Sequence, residues 1–308
     1  MDKYNIKLSK VVSISDIIEQ FSFFKKLKKD SEIALNIEIP DRVYPEYLTI
    51  VVSVIKYYRS FGIKININVH NPSNNTYVSR INFYKELEIE HDENFTRHNS
   101  TGKLVEITNF NGTNNVAITN NILKIIRDKC NVDSTVVSCL NYCFFEMVDN
   151  IENHAKSTIG GYTVAQNYKH RNELRIVIID KGIGIYESLT KTLGTKYNKL
   201  SPENSLLHCI KKEVTNGKGM GNGLFHAKEF IVKNGGDMEI YSGSHCLKIS
   251  DGKIKVVQTP HWQGTLIYVR INTNTTLNFE SIFGNDVPET VVNSNDSIDN
   301  DYIDNSLW

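Results

Sequence analysis

Phe144 to Ser157 reads FFEMVDNIENHAKS, and the fold turns on how this stretch is read. A helix turns once every 3.6 residues, so Glu146, Asn150 and His154 share one face of it. Tyr142, Phe145, Val148 and Ile151 fall on another, expected to pack against a sheet. Polar groups at helical spacing describe a solvated face as readily as a cleft, and the neighbouring sequence has to decide between them.

Toward the C-terminus, GGYTVAQNY and ELRIVIID read as adjacent strands, with KHRN as the turn between them. The second strand, Glu173 to Asp180, is a buried isoleucine- and valine-rich run that delivers Asp180 to a tight turn holding Gly182 and Gly184. Further on, NGKGMGNGLFHAKEF alternates Gly217, Gly219, Gly221 and Gly223 and then opens into a helical pattern. Glycine-rich backbone at a helix start presents unpaired N–H groups to an anion, which makes phosphate the natural guest. Between these stretches, Tyr186 to Asn216 is a long segment carrying Lys191, Lys196 and Lys199. Loops of that length are uncommon unless functional or disordered. After the glycine-led helix, Gly235 and Gly236 act as a stop. DMEIYSG, HCLKIS, KIKVVQT and GTLIYVRI then read as strands, with Asp251 and Gly252 as a turn. Upstream, VAITNNILKIIRDK is a helix preceding the motif helix, which starts near Asp133. Helices and strands in runs predict an α/β (α+β) sandwich with a mixed sheet.

In order and spacing these stretches resemble the motifs of the GHKL ATPases. That family shares the Bergerat ATP-binding fold among sensor histidine kinases, anti-sigma-factor kinases, type II topoisomerases, mismatch-repair proteins and heat-shock chaperones. EMVDNIENHA resembles the E-x-x-x-N motif and DKGIGI the D-x-G-x-G motif. GKGMGNGL resembles the glycine-rich box, and Gly264-Thr265 the late G-T pair. The resemblance spans roughly Asn115 to Asn272, and it implies ATP and Mg2+ as ligands. On that reading Glu146 orients and deprotonates an attacking water, and Asn150 is the protein ligand of Mg2+, an ion that takes few protein oxygens. Asp180 accepts the adenine amino group's hydrogen bond, Gly182 and Gly184 let the ring approach, and Thr265 supports the contact through a water. Lys218, Gly219, Met220, Gly221, Asn222, Gly223 and Leu224 form the box around the phosphates, with Lys218 read either as a point charge or as a solvent-facing lid residue. Asn153 joins the phosphate side. His154 has two readings, a phosphate contact or packing between the helix and the lid. Tyr186 to Asn216 sits where the family carries its lid.

Competing nucleotide motifs fit worse. There is no G-x-x-x-x-G-K-[ST], and the dinucleotide pattern fails because Asn222 and Glu187 occupy positions that need glycine. No histidine lies between His98 and His154, and that interval is too short for a phosphoacceptor hairpin.

The first region predicts a smaller α/β unit. SISDIIEQFSFFKKLKK is an amphipathic helix capped by Ser13, and Lys25, Lys26, Lys28 and Lys29 at its end meet the helix dipole favourably. EIALNIEI, YLTIVVSVIKYYRSFG and IKININV follow as a parallel, right-handed β-α-β unit. SRINFYKELEIE is expected to form a helix leading to a short strand, and LVEIT a last strand. This pattern resembles STAS-like domains of anti-sigma-factor antagonists, which implies a docking or regulatory module; the alternative is an extension that only packs on the ATPase. The expected divisions are residues 1–112, 113–284 and an acidic tail, 285–308, with six acids and no Lys or Arg.

Lys plus Arg and Asp plus Glu are balanced at 35 each, so neither nucleic acid nor an anionic membrane is an expected partner. Five cysteines without C-x-x-C spacing argue against a disulfide scaffold, and Cys139 and Cys143 read as buried structural thiols. The longest apolar run, Tyr47 to Ile55, is too short to cross a bilayer, and the expected location is cytoplasmic. Three functions follow: an ATPase switch acting on a partner protein through the first region or the tail, with dimerisation as an option; a serine/threonine kinase of the anti-sigma-factor type; and a nucleotide-sensing module without turnover.

Overall fold

A computed structural model of the chain describes residues 2–70, 76–215 and 222–283, apart from the side chains of 152–154, 281 and 283. The expectations at Lys218, Gly219, Met220 and Gly221, at the side chains of Asn153 and His154, and for the tail 285–308 lie outside the described residues.

The first unit is built from β1 (Asp2–Lys7), α1 (Ile14–Gln20), β2 (Glu32–Glu38), α2 (Pro45–Ser60) and β3 (Lys64–His70). The three strands form a parallel sheet in the order β1-β2-β3, in register through Asn5, Asn36 and Asn68. Their side-chain amides hydrogen-bond in a row across the sheet, at 3.0 and 3.2 Å. The sequence does not announce β1, because DKYNIK offers only Tyr4 and Ile6 in alternation. Ser13 caps α1 in a full capping box with Asp16. The helix is shorter than its amphipathic pattern, since residues 22–26 tighten into a 3-10 turn that buries Phe24 against Tyr58. Two short helices, α3 (Thr76–Arg80) and α4 (Phe83–Leu87), replace the single one expected, and residues 88–90, expected as a short strand, form none. Asn82, in the left-handed conformation at the start of α4, separates the pair.

The second sheet has the order β4-β5-β6-β8-β7, formed by β4 (Leu104–Phe110), β5 (Gly161–Tyr168), β6 (Glu173–Asp180), β7 (Asp237–Ser250) and β8 (Lys253–Asn272). Every neighbouring pair is antiparallel, whereas a mixed sheet was expected. The cause is in the connections: β5–β6 and β7–β8 are joined by short turns, and such turns only permit antiparallel neighbours. β4 was expected to close the first region; instead it pairs with β5 and is an edge of the large sheet. The four short strands expected after Gly236 are two long ones, whose pairing shifts register around Gly243 without breaking.

Helices α5 (Asn115–Lys129), α6 (Ser134–His154), α7 (Gly184–Thr190), α8 (Pro202–Cys209) and α9 (Gly223–Asn234) lie on the front of this sheet, and α10 (Phe279–Phe283) packs against α9. The first unit covers the back. β6 shows both faces at once: Leu174, Ile176 and Ile178 join the front core, Val177 and Ile179 the back one. A strand buried on both faces reads as a continuous apolar run, which is why ELRIVIID lacks alternation. The same logic explains α2. Leu48, Ile50, Val51, Val52, Val54 and Ile55 are all buried, because the helix is packed between two sheets. The run that is too short for a bilayer is a core helix, and no helix among the described residues is long and apolar enough to cross a membrane.

A buried ion pair ties the two units. Arg175 on β6 binds Glu46 at the start of α2 at 2.9 Å and Glu173 at 2.8 Å, with its guanidinium 4.2 Å from the centre of the Tyr44 ring. Burial pushes the Glu46 carboxyl upward and Arg175 opposes the shift.

Candidate functional site

The polar face of α6 opens on a cleft of about 900 Å³, and the sheet and α7 to α9 supply its other walls. Asp133 starts α6 by accepting a hydrogen bond from the Val136 amide at 2.8 Å. From there the helix buries Cys139, Cys143, Phe144, Met147, Val148 and Ile151 against the sheet. Phe145, expected on the packed side, is exposed, and Phe144 is buried in its place. Tyr142 packs edge-on against His226 of α9, so the helix contacts α9 on a flank that the sequence pattern had assigned to the sheet. Glu146 and Asn150 both line the cleft, as their spacing predicts. Burial, and then the nearby Asp149 charge, raise the Glu146 carboxyl above its ordinary range.

Asp180 reaches the same cleft from the end of β6. It is 2 % exposed and held on both oxygens. Oδ1 accepts from the Gly182 amide at 2.7 Å, and Oδ2 accepts from the Thr265 amide at 3.1 Å. Burial raises its pKa to about 6 against these hydrogen bonds, which favour the ionised form. Thr265 and Ile267 alternate along β8 onto the same cleft, as Ile178 and Asp180 do along β6.

Gly182 has a different job from the one its motif suggested. A Cβ there would stand 1.8 Å from the Ala155 carbonyl oxygen, and the Ile183 amide donates to that same oxygen at 2.7 Å. The residue does not line the cleft; its lack of a side chain lets the turn sit against the end of α6. Gly184 does line the cleft and opens α7. Gly223 is likewise a close-packing position, where a Cβ would lie 2.6 Å from the Glu146 Cβ. It lets the first turn of α9 approach α6, so Gly223 and Leu224 bring a helix N-terminus to the cleft. Asn222 points elsewhere, its amide oxygen accepting from the Glu213 backbone at 2.9 Å.

The long segment after Tyr186 carries two short helices over the cleft. Ile185, Ser188 and Leu189 of α7, Cys209 of α8, and Val214 and Thr215 beyond it form that wall. Lys191 does not line the cleft; it pairs with Glu187 on the outside at 2.6 Å, and Lys196 lies over the Tyr197 ring. These wall residues were not singled out from the sequence, although Ile185 and Leu189 stand one helical turn apart beside the motif glycines. All five cysteines are free and buried, and burial pushes the Cys139 thiol up to about 12.

The cleft therefore combines apolar walls, one buried carboxylate held in a fixed orientation, a helix N-terminus, and a carboxylate and an amide one turn apart on its lip. Apolar faces with a single edge acceptor suit a planar base, and the helix N-terminus suits phosphate. Comparison with known families agrees: residues 136–274 match the model described as histidine kinase-, DNA gyrase B-, and HSP90-like ATPase. The matched segment runs from α6 through β8, and the match supports ATP binding by a GHKL-type domain there. No curated protein is similar enough in sequence to match the chain.

Proposed function

We propose that the chain is an ATP-hydrolysing switch, in which nucleotide in the front cleft governs a contact made by the rest of the molecule. The observation that carries this is the meeting of Glu146, Asn150, Asp180, Thr265 and Leu224, drawn from α6, β6, β8 and α9, on one cleft. Asp180 reads the adenine amino group. Its two backbone donors fix the carboxylate, so little reorganisation is needed when the base enters.

The donor set fits Mg2+. Asn150 offers a neutral hard oxygen on the lip of the cleft, and Mg2+ in phosphate sites takes one or two protein oxygens beside the phosphates. When bound, the ion supplies charge neutralisation for phosphoryl transfer. Glu146 lies one turn before Asn150, and the rise of its carboxyl strengthens it as a base for the attacking water. The first unit, with its STAS-like pattern, serves as the docking module through which a partner senses the cleft. The back-face packing of α1 and α2 gives it direct contact with β5, β6 and β8.

The test is ATP labelled on its terminal phosphate. The wild-type chain releases free labelled phosphate; Glu146→Ala keeps Mg-ATP affinity within a few-fold and loses turnover by about a thousandfold. Asn150→Ala weakens Mg-ATP binding by tenfold or more, on the order of 1.4 kcal/mol. Label found on protein would favour phosphotransfer over hydrolysis, and equal affinity and turnover in all three chains would end the assignment.

A further inference from the structure

Behind the sheet, on the side away from the front cleft, a second cavity opens between the first unit and β8. Asp180 and Lys181 are consecutive, yet Asp180 lines the front cleft and Lys181 the back cavity. Lys181 is 6 % exposed, and among the described residues no carboxylate pairs with it and no hydrogen bond holds its ammonium. Its Nζ sits 3.2 Å from the centre of the Trp262 ring. Burial drives its pKa well below the ordinary lysine range, with the Asp180 charge opposing.

Two more basic groups converge there, Lys25 from the turn after α1 and His261 from β8. Burial lowers the His261 imidazole, and the Lys25 and Lys181 charges lower it further, so the three groups feel one another. Glu19 is the acid on the lining and is exposed. Apolar surface from Tyr58 and Trp262 completes the walls. A buried amine resting on an aromatic ring, an imidazole and a lysine cation at the mouth, and aromatic walls line the pocket with nitrogen donors and apolar surface, which suits a guest that is negative and partly apolar.

We propose that this cavity is a second ligand site that takes a small organic anion, a carboxylate or phosphate on an aromatic or aliphatic body. The anionic group lies among Lys181, Lys25 and His261, and the body rests against Trp262 and Tyr58. The site adjoins the adenine turn, since Gln263, also on its lining, donates to the Gly182 carbonyl oxygen. The assignment stands whether or not the front cleft takes ATP, because none of its residues lines that cleft.

The chain has two tryptophans, so in full-length protein carrying Trp308→Phe the emission reports Trp262 alone. Phenyl phosphate is the probe, with inorganic phosphate, benzyl alcohol and benzylamine as comparisons. Phenyl phosphate is expected to change the emission saturably and to bind at least about tenfold more tightly than any comparison. Lys181→Met, which removes the buried amine and nearly keeps the volume, weakens the probe about tenfold. Lys25→Ala, at the exposed mouth, weakens it less. Benzyl alcohol or inorganic phosphate binding as well as phenyl phosphate would overturn the proposal. So would the absence of a saturable change, or unaltered affinity in both Lys181→Met and Lys25→Ala. Lys181→Met that lowers the unfolding temperature while sparing the probe would assign the lysine to packing alone.

Discussion

The two faces of the large sheet are both buried, and they are buried for different ends. On the front, α6 to α9 stand away from the strands far enough to leave an open cleft, and the charged groups there have fixed hydrogen-bond partners or face the opening. On the back, α1 and α2 close tightly, and the polar groups either pair, as Arg175 does with Glu46, or rest on an aromatic ring, as Lys181 does. The front cleft should therefore govern nucleotide binding, and the Arg175–Glu46 pair on the back how firmly the chain folds.

That division can be broken by experiment. The largest effect is expected on the back. Arg175→Ala leaves Glu46 buried without its cation and should cost about 3–5 kcal/mol of stability in chemical denaturation, while any protein that folds keeps its nucleotide affinity. A smaller effect, on the front, is expected from Asp180→Asn. The amide keeps an acceptor for one of the two backbone donors and leaves the other facing its NH2 group, while removing a buried charge, so the two changes offset and stability should move by about 1–2 kcal/mol. ATP affinity should nonetheless fall by tenfold or more, together with the preference for adenine over guanine, as read by competition titration. If Asp180→Asn unfolded the chain while Arg175→Ala abolished only binding, the roles of the two faces would be exchanged.

The smallest effect is a pH dependence with opposite signs for binding and folding. Burial pushes the Asp180 carboxyl up to about 6, above the ordinary aspartate range, so folding favours its protonated form. Its ionisation counts against the native state above about pH 6, and lowering the pH through 6 toward the ordinary aspartate range progressively removes that penalty. The carboxylate proposed to read adenine is lost over the same window. ATP affinity should drop several-fold between pH 7 and 5.5, whereas the Asp180 contribution to thermal stability rises. Affinity independent of pH in that range would detach Asp180 from the base.

Much of the front face was legible because its chemistry is carried by short, contiguous stretches. EMVDN places a carboxylate and an amide on one helical turn, and the run ending in Asp180 can only be a strand buried on two sides. What escaped depended on contacts between distant stretches. Phe144 and Phe145 are equally apolar, and only the packing of α5 and α9 around α6 leaves the first buried and the second exposed. Gly182 was read as a glycine facing a ligand, yet it is off the cleft with its Cβ position filled by Ala155; Gly223 does line the cleft and also makes room for Glu146. Gly243 and Gly264 look like strand ends, but β7 and β8 run through them because a bulge absorbs the irregularity. LVEIT has no feature that says which sheet it joins. The back cavity was least legible of all, since Lys25, Lys181 and His261 come from three separate parts of the chain.

One helix, α2, supplies the interior for both sheets. Its removal would strip the large sheet of its rear covering and expose Ile107, Tyr162, Val177 and Leu266 to water. The nucleotide-binding half is consequently no portable cassette: a fragment beginning at residue 113 should clump or stay unfolded. Heated whole, the chain should melt in one cooperative step, with both halves failing together.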